Sequence, residues 1–171
     1  MNDLGAERFK IKKIVLQGFN LYTLINDIAL VKISVPNYQK QNHTFISLAD
    51  ESTNQVQEKC LINGYGATEM NGNSLDILYF GEVHEISFRE CEAKLGRVVA
   101  PQEGAGQFCA FGNVDACNGD SGSGLTCKNE KTDDVKLRGI SSYGIGCGNM
   151  PGIYTDVLHY RDWIQYTLEN E

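Results

Sequence analysis

The sequence predicts an all-β protein with one complete six-stranded barrel, a smaller and incomplete leading β unit, and a closing helix. Two observations support this fold class. Short segments rich in β-branched residues recur along the chain, and turn-forming stretches such as Met70 to Asn73 and Gly144 to Gly148 separate them. Extended helical periodicity occurs at the end of the chain. We therefore expect strands throughout and one substantial helix.

The leading unit, residues 1–50, contains two predicted strands, Phe9 to Leu16 and Ile28 to Ser34. A polar connector, Pro36 to Glu58, follows them. Two strands cannot bury an apolar face between themselves. We therefore expect this unit to lean on the rest of the protein, to pair with something else, or to remain poorly ordered.

The trailing unit, residues 51–171, contains enough predicted strands to close a barrel. After them, Tyr160, Trp163, Ile164, Thr167 and Leu168 recur at helical spacing and predict an amphipathic helix. A shorter helix is predicted around Glu90 to Leu95. The six predicted strands are Cys60 to Gly66, Ile77 to Ser87, Gln107 to Phe111, Leu125 to Lys128, Val135 to Tyr143 and Gly152 to Val157.

Composition narrows the class of function. The 171 residues are 42% hydrophobic and 22% charged, which suits a folded protein with a core. A net charge of -7 argues against a nucleic-acid surface and favours cationic substrates or partners. No apolar run approaches the roughly 20 residues that cross a bilayer, so we expect no membrane span.

The six cysteines contain no C-x-x-C pair, so the sequence predicts no zinc site, and we expect neither a metal ion nor a cofactor. Three disulfides are the better interpretation, although the sequence allows fifteen pairings of six cysteines. Disulfides indicate an oxidising compartment, yet the amino terminus lacks the apolar core of a signal peptide.

The segment DACNGDSGSG, residues 115–124, contains the candidate nucleophile Ser121. A serine hydroxyl attacks only with the help of a base, a group that orients the base, and donors for the oxyanion. Gly119 lets the backbone turn so that its own amide and that of Ser121 point into one space. The segment therefore predicts nucleophilic catalysis.

Four motifs in order resemble the chymotrypsin family, in its trypsin-like branch. They are NDIAL at 26–30, GDSG at 119–122, SSYGIGCGNMPGIYTDV at 141–157, and the closing helix. The resemblance runs from Glu7 to the end and implies a two-barrel, chymotrypsin-like fold with an incomplete first barrel. Family trypsins read GDSGGP where this chain reads GDSGSG.

The resemblance implies roles for several residues. Ser121 resembles the nucleophile, Asp27 resembles the carboxylate that orients the histidine, and the amides of Gly119 and Ser121 resemble the oxyanion hole. The implied disulfides join Cys60 to Cys127, Cys91 to Cys109, and Cys117 to Cys147.

Asp115 resembles the acid at the floor of the specificity pocket. A carboxylate there favours Arg or Lys before the scissile bond, because a desolvated cation is tolerated only when it is paired. The implied pocket walls and substrate-binding edge are Ser142, Tyr143, Gly144 and Gly152. Tyr143 replaces the tryptophan that is usual in trypsins.

The histidine of the family precedes its aspartate, but no histidine precedes Asp27 here. His43, His84 and His159 are each better explained as structural residues. In the family, the acid that precedes the nucleophile pairs with the amino terminus that activating cleavage creates. Asp120 resembles that acid here. We expect Asp120 to pair elsewhere or to stay solvated.

Three hypotheses follow. In the first, the chain is the carboxy-terminal portion of a secreted trypsin-like endopeptidase and is inactive on its own. The whole enzyme would cleave protein or peptide substrates after Arg or Lys, and protein protease inhibitors would bind it. Alternatively, it is a non-catalytic homologue that binds Arg or Lys side chains of a partner. An unrelated disulfide-stabilised β-protein is the third alternative.

Overall fold

A computed structural model describes residues 8–36, 44–51, 59–129 and 132–171. Within these ranges the chain forms nine strands and two helices. Their bounds, in chain order, are β1 (Lys10–Leu16), β2 (Ala29–Ser34), β3 (Ser47–Leu48), β4 (Lys59–Gly64), β5 (Tyr79–Ile86), α1 (Phe88–Leu95), β6 (Gln107–Gly112), β7 (Gly124–Lys128), β8 (Val135–Gly144), β9 (Gly152–Asp156) and α2 (Arg161–Asn170).

Strands β4 to β9 form a closed antiparallel barrel in the ring order β4, β5, β6, β9, β8, β7. The predicted all-β class, with a six-stranded barrel and a closing helix, is therefore confirmed. Strand β3 lies outside the ring and pairs in parallel with β8. It lies within the stretch that was predicted to be a polar connector. The sequence did not predict this strand, because two residues are too few to show a strand periodicity.

The barrel strands alternate between buried and exposed residues, as the two-residue period of a strand requires. In β4, Cys60 and Ile62 point inward, while Leu61 is 42% exposed. The aromatic rings of Phe108 and Tyr154 stack in the same interior, with ring centroids 5.7 Å apart. This packed interior is the rigid base of the loops described below.

Helix α2 packs against the rest of the protein through the face that contains Ile164 and Thr167. Thr167 satisfies its hydroxyl by donating to the carbonyl of Trp163 over 2.8 Å. Leu168 shares the predicted apolar spacing but is 70% exposed, so its predicted place on the packed face is wrong. Neither helix among the described residues is long and apolar enough to cross a bilayer.

Strands β1 and β2 form a separate two-stranded antiparallel sheet. Leu30 of β2 packs on a buried cluster that includes Tyr160 and Ile164, and Lys13 and Lys32 both contact Glu171 at the end of α2. The leading unit therefore leans on the rest of the protein, which is the first of the three arrangements expected for it.

Candidate catalytic and substrate-binding site

Ser121 is exposed in a tight turn between the disulfide-bonded Cys117 and strand β7. The amide of Asp120 donates to the carbonyl of Cys117, and the amide of Ser123 donates to the carbonyl of Asp120, each over 2.9 Å. These two bonds fold the backbone on both sides of Ser121. Its hydroxyl is therefore accessible from solvent.

Gly119 adopts a φ of 99°, a conformation that side chains rarely allow. A Cβ atom there would lie 3.2 Å from Cα of Gly66 and 3.2 Å from Oγ of Ser74. Both the dihedral angle and the close approach explain why the turn before Ser121 requires glycine.

Strand β8 connects the Ser121 turn to Asp27. The amide of Gly122 donates to the carbonyl of Ser141 over 2.8 Å, and the amide of Ser141 donates to the carbonyl of Ser123 over 2.9 Å. The hydroxyl of the next residue, Ser142, donates to Oδ2 of Asp27 over 2.6 Å. Residues 141 and 142 therefore hold the serine turn and the aspartate in one framework.

Asp27 is partly buried and fixed through its backbone as well. The hydroxyl of Thr155 donates to the Asp27 carbonyl over 2.8 Å. The preceding residue, Asn26, has a φ of 58°, and its amide and side-chain oxygen both bond the hydroxyl of Tyr160, over 3.1 and 2.8 Å. The carboxylate therefore belongs to a rigid turn.

Ser142, which the resemblance places in the pocket wall, binds the Asp27 carboxylate through its hydroxyl. Thr155 and Tyr160 also support the Asp27 turn, and sequence reasoning gave neither of them this position. They follow Asp27 by more than one hundred residues. No local spacing in the sequence could have indicated these contacts.

The described histidines do not bind Asp27. His84 lies on β5 opposite Phe111, and His159 is exposed with its ring packed edge-on against Tyr160. Within the part of the chain that the structure describes, no hydrogen bond joins either histidine to the Asp27 carboxylate. His43 lies outside the described residues.

Asp120 pairs with the backbone, in agreement with the expectation that it pairs elsewhere. Its Oδ1 accepts from the amide of Gly66 over 2.8 Å, and its Oδ2 accepts from the amide of Cys117 over 3.1 Å. It borders a cleft of about 280 Å³ that Ser123, the first departure from GDSGGP, also lines. The same cleft extends to Asp115.

Asp115 lines this cleft. Its Oδ2 accepts from the amide of Gly148 over 3.2 Å, and its Oδ1 would lie 2.9 Å from a Cβ atom on Gly152. Burial raises the pKa of Asp115, the backbone bonds from Gly148 and Ala116 oppose this rise, and the charge of Asp120 adds to it. Within the described residues no Lys or Arg pairs with Asp115. The cleft therefore presents a partly desolvated carboxylate that a cation would stabilise.

The negative charges of Asp115 and Asp120 also affect the pKa of Tyr154. Burial raises the pKa of its phenol far above the ordinary value, and the nearby carboxylates of Asp115 and Asp120 raise it further. The phenol is therefore neutral, so it adds no negative charge beside the two carboxylates.

The paired ends of strands β8 and β9 lie beside Asp115. Gly144 of β8 lies opposite Gly152 of β9. The neighbouring Tyr143 is half-buried, donates from its hydroxyl to the carbonyl of Val99 over 3.4 Å, and has a pKa that burial raises. Gly152 therefore lies beside Asp115 with Gly144 opposite it, whereas Tyr143 packs against the buried cluster that contains Cys91 and Ile153.

Three disulfides are present, and their pairs are those that the resemblance implies. Cys60–Cys127 joins β4 to β7, and Cys91–Cys109 joins α1 to β6. Cys117–Cys147 joins the segment before Ser121 to the loop that contains Gly148. In the described ranges, no group of three or more His, Cys, Asp or Glu residues could hold a metal ion.

Comparisons with known proteins agree with this architecture. The sequence model of the trypsin family matches residues 1–164. The chain is 33% identical to a trypsin of Xenopus laevis over 170 residues, which cover 96% of this chain and 66% of that protein. It is 34% identical to a trypsin of Sus scrofa, again over 96% of this chain and 70% of the relative. It is 37% identical to transmembrane protease serine 11G of Mus musculus over 91% of this chain, but only 38% of that relative.

Proposed function

The chain belongs to the trypsin family of serine proteases, and from that premise we propose that it is part of a secreted serine endopeptidase that cleaves proteins after Arg or Lys. The observation that carries the proposed specificity is the position of Asp115. This partly buried carboxylate lies beside the Gly144 and Gly152 edge and has no cationic partner among the described residues. A guanidinium or ammonium group in the cleft would pair with it.

The proposed roles of the other residues follow the same geometry. Ser121 is the nucleophile, and the amides of Gly119 and Ser121 stabilise the oxyanion. Asp27 orients the imidazole of a histidine, and Ser142 holds the Asp27 carboxylate by its 2.6 Å hydrogen bond. Tyr143 lines the substrate side of strand β8.

We propose in addition that a polypeptide of these 171 residues does not turn over substrate. Neither His84 nor His159 bonds Asp27, and no histidine precedes Asp27 in the sequence. Among the described residues Ser121 then has no histidine to remove its proton, and in subtilisin, which uses the same triad on an unrelated fold, loss of the histidine alone costs about a millionfold in turnover. The same observation favours the second candidate function, a non-catalytic homologue whose pocket binds Arg or Lys side chains of a partner or of an inhibitor.

Binding of benzamidine, a small planar cation, tests the proposed specificity. We expect Asp115→Asn to weaken binding at least about 30-fold, equivalent to about 2 kcal/mol, because one partner of a buried charge pair is lost. Asp134→Asn removes the same charge at an exposed site and is the matched control. Equal affinities of the Asp115→Asn variant and the control would overturn the proposed specificity.

A fluorophosphonate probe and a peptide amide with Arg before the scissile bond test catalysis. We expect neither rapid labelling nor turnover. Rapid labelling and hydrolysis that both disappear in Ser121→Ala would show that the chain is catalytically competent. That result would exclude the non-catalytic alternative and the proposed inactivity together.

A further inference from the structure

Gln107 is a buried polar side chain that joins the complete barrel to the leading unit. It is 4% exposed and lies at the start of β6. Its side-chain amide donates to the carbonyl of Leu24 over 2.8 Å, across 83 residues of sequence. Leu24 lies three residues before Asp27. The barrel therefore binds the backbone of the turn that leads to the candidate orienting carboxylate.

This turn has an unfavourable backbone conformation. Leu24 and Asn26 have φ angles of 55° and 58°, in the left-handed region that side chains other than glycine rarely adopt. Residues in such conformations persist only where surrounding contacts hold them. The backbone before Asp27 therefore depends on contacts with the rest of the protein.

Two side chains of the barrel hold the two ends of this turn. Gln107 on β6 lies directly opposite Thr155 on β9, so both side chains lie on the same face of the sheet. Thr155 donates to the carbonyl of Asp27 over 2.8 Å, while Gln107 donates to the carbonyl of Leu24. The segment from Leu24 to Asp27 is therefore fixed at its first and its last carbonyl.

The amide of Gln107 also interacts with Tyr143. Burial raises the pKa of the Tyr143 phenol, and a hydrogen bond from Gln107 lowers it. The Tyr143 hydroxyl donates onward to the carbonyl of Val99 over 3.4 Å. A primary amide has two N–H donors, so Leu24 and Tyr143 together provide acceptors for both. These partners hold the buried amide in one orientation, directed at Leu24.

We propose that Gln107 is a positioning residue: by holding the carbonyl of Leu24, it sets the place of the Asp27 carboxylate relative to Ser142. This role rests on the proposed function, in which Asp27 orients a histidine. Gln107 acts only through the turn, because its described hydrogen bond is to Leu24 and not to the Asp27 carboxylate.

The substitution Gln107→Met tests the role of the hydrogen bond. Methionine has a similar length and volume but no amide donor, so the packing changes little while the carbonyl of Leu24 loses its partner. The turn is then free to relax from its left-handed conformation, which moves Asp27 away from the hydroxyl of Ser142.

A triple-mutant cycle in urea titrations measures this movement. In the parent, Asp27→Asn and Ser142→Ala should couple by at least about fivefold in the equilibrium constant of unfolding. In the Gln107→Met background we expect this coupling to fall below about twofold. Coupling that is retained in folded Gln107→Met would overturn the proposal, because a side chain that only stabilises the fold would leave it unchanged.

Two control variants separate positioning from general stability. Val83→Ala removes buried volume from β5, where the side chain is 2% exposed, and should lower stability while the coupling of Asp27 to Ser142 persists. Gln165→Met makes the same chemical change at an exposed site on α2 and should also preserve the coupling. Loss of the coupling in either control would contradict a specific role of Gln107.

Far-UV circular dichroism identifies variants that do not fold. If Gln107→Met unfolds, Gln107→Asn, whose amide is one methylene shorter, replaces it in the same cycle and should also lose the coupling. In the parent, NMR should detect scalar coupling between the side-chain nitrogen of Gln107 and the carbonyl carbon of Leu24, and its absence would overturn the proposal whatever the variants do.

Benzamidine binding reports separately on the proposed function. Gln107 does not line the cleft that contains Asp115. A parent chain that fails to bind benzamidine but retains the coupling between Asp27 and Ser142 would therefore contradict the proposed specificity and not the positioning role.

Discussion

The hydroxyl of Ser142 donates a 2.6 Å hydrogen bond to Oδ2 of Asp27, and the adjacent Ser141 is bonded through its backbone to the turn that contains Ser121. Two consecutive residues of strand β8 therefore connect the candidate nucleophile with the candidate orienting carboxylate. The position of Asp27 relative to Ser121 depends on this strand.

A double-mutant cycle between Asp27 and Ser142 should reveal strong coupling. Hydrogen bonds to charged groups contribute about 1.5 to 3 kcal/mol, so Asp27→Asn and Ser142→Ala should couple by at least about 1 kcal/mol in the free energy of unfolding from urea titrations. Ser141→Ala is the matched control, because its side chain makes no described bond to Asp27, and its effect should add to that of Asp27→Asn. Additive effects for Ser142 would contradict the bond.

Asp115 should make stability depend on pH in an unusual direction. A raised pKa in the folded state means that the native protein holds this proton more tightly than the unfolded chain. Asp115 therefore lowers stability progressively as the pH rises from 3.8, the ordinary value, through the raised native pKa, and the full cost remains at neutral pH.

Thermal melts should detect this cost. Asp115→Asn should melt at a higher temperature than the parent near pH 7, and the two melting temperatures should converge at a pH well below 3.8. Asp134→Asn, at an exposed site, should not show this pH-dependent difference. A difference between Asp115→Asn and the parent that stayed constant across the pH range would exclude the burial of Asp115 as its cause.

Arg138 should be essential for stability. It is 4% exposed, pairs with Glu85 and Asp156, and lies over the ring of Phe108. Burial raises the pKa of Glu85, while Arg138 lowers it, so removing the guanidinium takes the cationic partner from both Glu85 and Asp156.

Arg138→Ala should destabilise the protein by about 3 to 5 kcal/mol in urea titrations, as expected when one partner of a buried pair is lost. Arg89→Ala, at an exposed site on α1, should change stability by less than about 0.5 kcal/mol. Similar losses in the two variants would contradict the importance of the buried network.

The Cys117–Cys147 disulfide should support the pocket as well as the fold. Its loop spans 30 residues and that of Cys91–Cys109 spans 18, so removing either should cost about 3 to 4 kcal/mol by loop entropy. Replacement of Cys117 and Cys147 by serine should also weaken benzamidine binding about tenfold or more, because both residues adjoin the Asp115 cleft. The matched control replaces Cys91 and Cys109 by serine. An equal loss of benzamidine binding in this control would contradict the local role of Cys117–Cys147.

Much of the fold was predictable from local patterns. The strands of the barrel were predicted within a few residues of their bounds, because an enrichment in β-branched residues between turn-forming stretches is a local property of each segment. Strand β3 and the exposure of Leu168 were not predicted, since a two-residue strand has no periodicity and helical spacing does not show which face is covered.

By itself the sequence determined the all-β class, the number of cysteines and the GDSG and NDIAL motifs, all of which depend on residues close together in the chain. Only the tertiary structure decided that Ser142 holds Asp27, that Asp120 binds the amide of Gly66, and that the buried Gln107 binds the carbonyl of Leu24. These relationships join residues that are distant in sequence. The physical reason is that hydrogen bonds and burial depend on distance in space, which closure of the barrel establishes.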